Sequence, residues 1–163
     1  MKLSKFFFVF FIAFGLNACG YHLRGMGDTT VKFKRVYLEG ASEALMSQFD
    51  KVLKMSSAKL TKNSQEADLH VKVVNETFNR RTASLNFSGR SNQYDLNYRL
   101  EFEIAGAGNV FLGASNPLEI NRSYFNDQGY VIAKDQEENV IRGEMYRQAV
   151  ISIFDRAQSQ IKK

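Results

Sequence analysis

The residues with the clearest chemical potential stand near the start of the chain. Cys19 is the only cysteine, and Ala18 directly precedes it. Lys2 and Lys5 make a basic first segment, and Phe6 to Phe14 is an apolar run without charge. Basic, apolar, small, then cysteine is the order of a secretion signal, with cleavage before Cys19. Two other roles for the thiol fit less well. A nucleophile needs a histidine brought beside it by a fold, whereas Cys19 abuts the apolar run before any domain begins. A membrane span needs about twenty apolar residues, more than residues 6–14 supply.

The remaining candidates are basic. Arg80, Arg81 and Arg90 flank a loop, and Lys134 stands just before the expected start of the last helix. A helix N-terminus offers unpaired N–H groups and a partial positive charge, so Lys134 beside one suits a phosphate. The same residues also read as solvated loop charges, and Glu137 and Glu138 offset part of the field. No glycine loop followed by Lys-Ser or Lys-Thr is present, nor a Gly-x-Ser-x-Gly elbow. His22 and His70 lie in different settings with no metal-ligand spacing. No residue is assigned as catalytic, and no metal or cofactor is expected. A carboxylate pair for glycoside hydrolysis needs no motif, so a tethered hydrolase stays as an alternative.

These residues need a framework. Removing residues 1–18 leaves one domain's length of chain, enough to bury a core, and lowers the formal charge from +5 to +3. So mild a charge does not imply nucleic acid. Residues 19–34, rich in glycine and polar side chains, read as a tether, and 35–163 as a single domain. Arg35–Glu39 is a short β-prone segment ended by Gly40. Ser42 caps a helix expected over 43–55, with Leu45, Phe49, Val52 and Leu53 on one face. Leu69, Val71 and Val73 alternate with His70 and Lys72 in a strand expected to reach about Phe78 or beyond. Asn86 to Asn92 is a loop.

The strand after that loop is the clearest element. Tyr94, Leu96, Tyr98, Leu100, Phe102 and Ile104 alternate with Asp95, Asn97, Arg99, Glu101 and Glu103. Strict period two means one apolar and one polar face. The polar face suits either bulk water or the polar interior of an outer-membrane barrel. Residues 117–125 read as another strand. Asp135 and Glu138 have capping-box spacing. From there an apolar row of Ile141, Met145, Ala149, Ile153, Ala157 and Ile161 predicts a helix to about 160. The expected fold is α+β: a two-layer sandwich with two helices packed on one face of a mostly antiparallel four-stranded sheet.

Leu16-Asn17-Ala18-Cys19 resembles the lipobox of bacterial lipoproteins. That resemblance implies an S-diacylglycerol and an N-acyl chain such as palmitate on Cys19. Gly20, rather than Asp, then implies sorting to the outer membrane. Each buried CH₂ contributes ~0.8 kcal/mol, so two or more chains anchor stably where one does not. Further motifs resemble the LPS-assembly lipoprotein family, LptE. They are Cys19-Gly20-Tyr21-His22-Leu23-Arg24, Ser91-Asn92-Gln93-Tyr94, Arg122-Ser123-Tyr124-Phe125, Ala133-Lys134-Asp135 and Glu144-Met145-Tyr146. The resemblance implies a lipoprotein subunit of the outer-membrane lipopolysaccharide translocon. It would plug and help assemble an LptD-type β-barrel, sit on the periplasmic side within the barrel lumen, and be held at the inner leaflet. It would bind lipopolysaccharide through basic residues, with Lys134 on a matching motif and Arg90 in the corresponding loop. The alternative is an outer-membrane lipoprotein serving another envelope complex. Its test is co-purification: a barrel protein, a different complex or a lone active monomer separates the three readings.

Overall fold

The computed structural model describes residues 33–114, 117–126 and 131–161. In chain order it contains β1 (Arg35–Glu39), α1 (Glu43–Met55), β2 (Lys59–Thr61), β3 (Leu69–Leu85), β4 (Ser91–Gly106), β5 (Phe111–Ala114), β6 (Leu118–Phe125) and α2 (Val131–Ile161). The described strands form one sheet ordered β2-β1-β3-β4-β5, with β6 also pairing β4. β1 is parallel to β2 and β3, while β3, β5 and β6 are antiparallel to β4. The expected four strands become six for two reasons. β2 adds a three-residue edge. The fourth position beside β4 is shared, with β5 pairing residues 103–105 and β6 pairing 93–100.

Local chemistry accounts for the first helix. Ser42 is extended, and its hydroxyl accepts from the Leu45 N–H at 3.2 Å, satisfying one orphan donor of the first turn. The Glu76 carboxylate accepts from the Ser42 N–H at 2.9 Å and from its hydroxyl at 2.7 Å, tying the cap to β3. Leu45, Phe49, Val52 and Leu53 are buried on one face, as their spacing predicts.

The core is a single layer between sheet and helices. Val36, Leu69, Val71, Val73, Leu96, Tyr98, Leu100, Phe102 and Ile104 supply the sheet side, and Met145, Ala149, Val150, Ile153, Phe154 and Ala157 the α2 side. Full burial of a Leu, Ile or Phe contributes roughly 1.5–3 kcal/mol. Phe154 packs edge-on to Phe49, with ring centroids 5.6 Å apart, and lies against Phe33 at 6.5 Å. Phe33 is only 6% exposed, so packing already begins in the stretch read as tether. Asp68 reinforces that start by accepting from the Lys34 and Arg35 N–H groups, each at 3.0 Å. At the other end Ile161 is exposed, so the expected apolar row stops at Ala157.

One irregularity decides what the long hairpin presents. Val73 pairs with Phe102 but Asn75 pairs with Glu101, leaving Val74 as an extra residue in a β-bulge. Before the bulge Leu69, Val71 and Val73 face the helices. After it Glu76, Phe78 and Arg80 do, because they pair with Leu100, Tyr98 and Leu96. Gly40 sits against this bulge at φ +76°, where a Cβ would lie 2.6 Å from the Val73 carbonyl oxygen. Only glycine fits that approach without a shift.

Two expected boundaries move. Arg80 and Arg81 flank the turn from within β3, which runs on to Leu85, and the turn itself shrinks from 86–92 to 86–90. α2 begins at Val131, four residues before the expected Asp135 cap. Residues 131–134 contain no glycine or proline to stop the helix from extending, so Lys134 lies in its first turn rather than before it.

Candidate functional site

Past the bulge, the helix-covered face carries a polar cluster. Glu138 of α2 is 6% exposed. Its Oε2 accepts from Arg80 Nη1 of β3 at 2.9 Å and from the Tyr124 hydroxyl of β6. Its Oε1 accepts from Arg142, through Nε at 2.9 Å and Nη2 at 2.7 Å. Three elements thus converge on one carboxylate. Burial pushes its pKa up, but the hydrogen bonds from Tyr124, Arg80 and Arg142 outweigh this and hold it below the usual glutamate value. The Tyr124 hydroxyl is pushed up to about 12 by burial and by the Glu138 charge it faces. Aromatic rings frame the cations: Arg80 lies 4.9 Å from the Tyr94 ring centroid and Arg142 4.2 Å from that of Phe78. Tyr98 and Tyr146 pack edge-on at 4.8 Å, and the Tyr98 hydroxyl donates to Glu76 at 3.2 Å.

This cluster fixes how α2 runs along the sheet. Arg156 stacks on Phe102, Tyr146 meets Tyr98, and Glu138 meets Arg80 beside Tyr94. The helix start therefore points toward the hairpin tip. Lys134, one turn before Glu138, stands about 6 Å further in that direction. Arg90 occupies the tip itself. The Asn86 carboxamide oxygen accepts from the Ser88 and Arg90 N–H groups at 2.9 and 3.0 Å, and Gly89 turns the chain at φ +72°. The structure thus brings the helix turn of Lys134 and the loop of Arg90 to one end of the molecule. The Lys134 side chain and Cys19 lie outside what is described.

The opposite face of the hairpin is polar, as its alternation predicts. Asp95 accepts from the Ser123 hydroxyl at 2.7 Å and from Arg81 at 3.1 Å, which hold its pKa below the usual aspartate value. Asn97 donates to Asn121 at 2.6 Å. Arg99 bridges Glu101 and Glu119, both at 2.8 Å. Asn79, Arg81, Asp95, Asn97, Asn121 and Arg122 border a shallow groove of about 480 Å³. Among the described residues no three metal-ligating side chains converge, and no helix is long and apolar enough to cross a membrane. His70 is half-buried beside Tyr37, with ring centroids 5.7 Å apart.

The sequence reading missed the Glu138 cluster. It used Glu138 as a capping-box partner, whereas the carboxylate binds Arg80, Tyr124 and Arg142. The i,i+4 spacing of Glu138 and Arg142 was the one signal available.

Comparison with known proteins matches the chain to a family. The profile described as LptE, lipopolysaccharide-assembly, matches residues 33–157. A relative described as LPS-assembly lipoprotein LptE, from Pectobacterium atrosepticum, is 24% identical over 134 residues, covering 80% of this chain and 72% of the relative. The solution structure of uncharacterized lipoprotein B from Nitrosomonas europaea aligns with a TM-score of 0.64 and 25% identity, covering 83% of this chain and 88% of that one. The crystal structure of rare lipoprotein B from Shewanella oneidensis shares the fold at a TM-score of 0.59 and 23% identity, covering 78% of this chain and 96% of that one.

Proposed function

The chain belongs to the LptE lipopolysaccharide-assembly family, and from that premise we propose that it plugs the lumen of an LptD-type β-barrel and binds lipopolysaccharide at its hairpin-tip end. Family membership makes it an outer-membrane-associated LPS-assembly lipoprotein and not an enzyme. It leaves the tethered hydrolase and the accessory of another complex without support. Lipid chains on Cys19 hold the domain at the inner leaflet, on the periplasmic side.

The observation that carries the plug is the outer face of β3, β4 and β6. Its described side chains are mostly polar along a hairpin of about 55 Å for seventeen residues, while the opposite face carries the helices. Its asparagine and arginine–carboxylate pairs present donors and acceptors in both directions, which suits a polar barrel interior. Lys134 and Arg90 at one end supply the cations that lipid A and core phosphates need.

The plug is tested by photo-crosslinking in cells from Asn97 and Asn121. Adducts to a barrel protein are expected, and adducts to some other envelope complex would overturn it. The ligand is tested by titration with Lys134→Asp combined with Arg90→Asp. The expected loss exceeds the ~1 kcal/mol of an ordinary surface pair and shrinks with salt. Thermal stability should hold, because an acidic residue suits a first helical turn and Arg90 is in a turn. Unchanged affinity would remove both residues from the site. For the anchor, mass spectrometry of the mature N-terminus should find an acylated Cys19, and Cys19→Ala should abolish acylation. An unmodified Cys19 would sink the anchor.

A further inference from the structure

The end of the molecule farthest from the hairpin tip carries a groove on its outer face. His70 is the second residue of the seventeen-residue β3, so it stands about 50 Å from the tip. It pairs with Tyr37 of β1 on one side and Ala105 of β4 on the other, and Ala105 pairs with Phe111 of β5. These four residues form one row across the sheet. They line a groove of about 310 Å³, with Glu39 and Glu103 beside them. Phe111 is 64% exposed, an apolar wall that the core does not use. Lys72 faces Glu103 at 3.9 Å, whereas among the described residues Glu39 makes no ion pair. The rim is therefore acidic on balance. The His70 Nε2 is buried and, among the described residues, has no hydrogen-bond partner. A backbone group laid beside the ring would relieve that cost.

The chain enters the fold next to this row. The Lys34 N–H donates to Asp68 at 3.0 Å, its carbonyl accepts from the Lys59 N–H at 3.0 Å, and Tyr37 follows in β1. Residue 32 thus emerges within roughly 15 Å of the groove. From Phe33 back to Leu23 is ten residues, an extended reach of about 33 Å. Residues 20–32 carry Arg24 and Lys32 against one carboxylate, Asp28, so their net charge is opposite to that of the rim. Tyr21 and Leu23 alternate with His22 and Arg24. An extended stretch would place the two apolar side chains on one side and the two basic ones on the other. A segment already fixed at Phe33 also competes well for the groove, since short tethers give effective concentrations on the order of millimolar.

We propose that Tyr21 to Arg24 lie across this groove, with Tyr21 and Leu23 against Phe111 and Tyr37 and with Arg24 at the Glu39 and Glu103 rim. The chain then covers its own exposed apolar wall and neutralises part of its acidic edge. The consequence rests on the reading above that Cys19 is acylated. A tether free from Cys19 to Phe33 spans fourteen residues and lets the anchor lie as far as about 46 Å from the fold. Docked at Tyr21, it leaves two residues and about 7 Å. The end of the domain opposite the hairpin tip is thereby held at the bilayer surface, and the tip is aimed away from it.

The test places photo-reactive benzoylphenylalanine at position 111 of the full chain in cells, beside an epitope-tagged second copy, and maps adducts by mass spectrometry. A crosslink to residues 20–26 of the same chain is expected. An adduct to the tagged copy, an adduct to another envelope protein, or no adduct would overturn the proposal. Capture of a barrel protein from 111 would overturn it while leaving the plug standing. A second arm puts spin labels on the purified lipoprotein through Met26→Cys and Lys62→Cys. One narrow distance is expected. Adding Leu23→Ser should lower the ratio of narrow to broad population about tenfold, the scale of one leucine side chain returned to water. A broad distribution before that change, or one that Leu23→Ser leaves unaltered, would overturn the proposal. A third label, on the Cys19 thiol itself, would remove the anchor reading and the orientation it implies, while the crosslink from 111 still decides the docking.

Discussion

The two halves of the helix-covered face share one sheet and one helix yet are built from different chemistry. Around Val71, Phe102, Ile104, Phe49 and Phe154 the contacts are apolar and closed. Beyond the bulge at Val74 the same layers meet through Glu76, Tyr98, Arg80, Tyr124, Arg142 and Glu138. Apolar packing is strong but not directional, and cores accept many arrangements of similar volume. A buried carboxylate with donors from three elements accepts few, because each lost partner leaves an uncompensated charge. The first half supplies most of the stability. The second sets the position of the start of α2 against the hairpin, and so the relation between the Lys134 turn and the Arg90 loop.

The largest break expected lies just past the bulge, where the apolar face of β4 continues beneath the polar cluster. Leu100 is 0% exposed and pairs with Glu76 across β3 and β4. Leu100→Asp would bury a charge beside an existing carboxylate and should destabilise by several kcal/mol. Chemical denaturation followed by circular dichroism measures it. A loss no larger than that of an outer-face substitution would mean the faces are assigned wrongly.

Glu138→Ala comes next. The Glu138 side chain is 8% exposed, but Arg80 and Arg142 are 47% and 38% exposed, so water screens part of the pairing. The expected loss is therefore about 1–3 kcal/mol, below that for breaking a fully buried pair. Hydrogen exchange should rise most near 131–142 and 76–84 and least in β1 and α1. A uniform rise would deny the cluster its local, aligning role. The charge also makes the contribution pH-dependent. The folded-state pKa of Glu138 is depressed, so its stabilisation is complete above the ordinary glutamate value and is lost as pH falls through the folded one. Melting temperature should consequently fall more steeply in acid for the wild type than for Glu138→Gln. Parallel curves would show that Glu138 does not titrate with folding.

That same contrast explains what was legible in the chain. The apolar half follows from spacing alone: β4 alternates through eleven residues, α1 has its serine cap, and α2 repeats every four. The polar half hides behind the bulge. Plain alternation carried past Val73 would turn Asn75, Thr77, Asn79 and Arg81 toward the helices and send Glu76, Phe78 and Arg80 to the outside. Nothing local marks Val74 as the extra residue; the constraint lies in the pairing with β4 and in the approach of Gly40. Glu138 was misread for a related reason. Its spacing from Asp135 fits a cap, but its partners are Arg80 and Tyr124, 58 and 14 residues away. Phe33 shows the limits of composition, since a glycine-rich run stood next to a residue that packing recruited. The cations of the proposed ligand site could be named from the sequence, whereas their common end could not.

The smallest effect expected sharpens the comparison by holding the chemistry constant and changing only the burial. Arg99 on the outer face contacts Glu101 and Glu119 at distances like those within the Glu138 cluster, 2.8 Å in both cases. Its side chain is 41% exposed, and the two carboxylates are 34% and 50% exposed. Glu101→Ala leaves Arg99 paired with Glu119 and open to water, so the isolated domain should lose less than about 0.5 kcal/mol. Denaturation midpoints of Glu101→Ala and Glu138→Ala, measured together in low and high salt, decide the matter. The Glu138 loss should persist in salt, because its acceptor is enclosed, and the small Glu101 loss should vanish. Equal losses would mean that the arginine–carboxylate contacts themselves, and not their enclosure between β3, β6 and α2, distinguish the two regions.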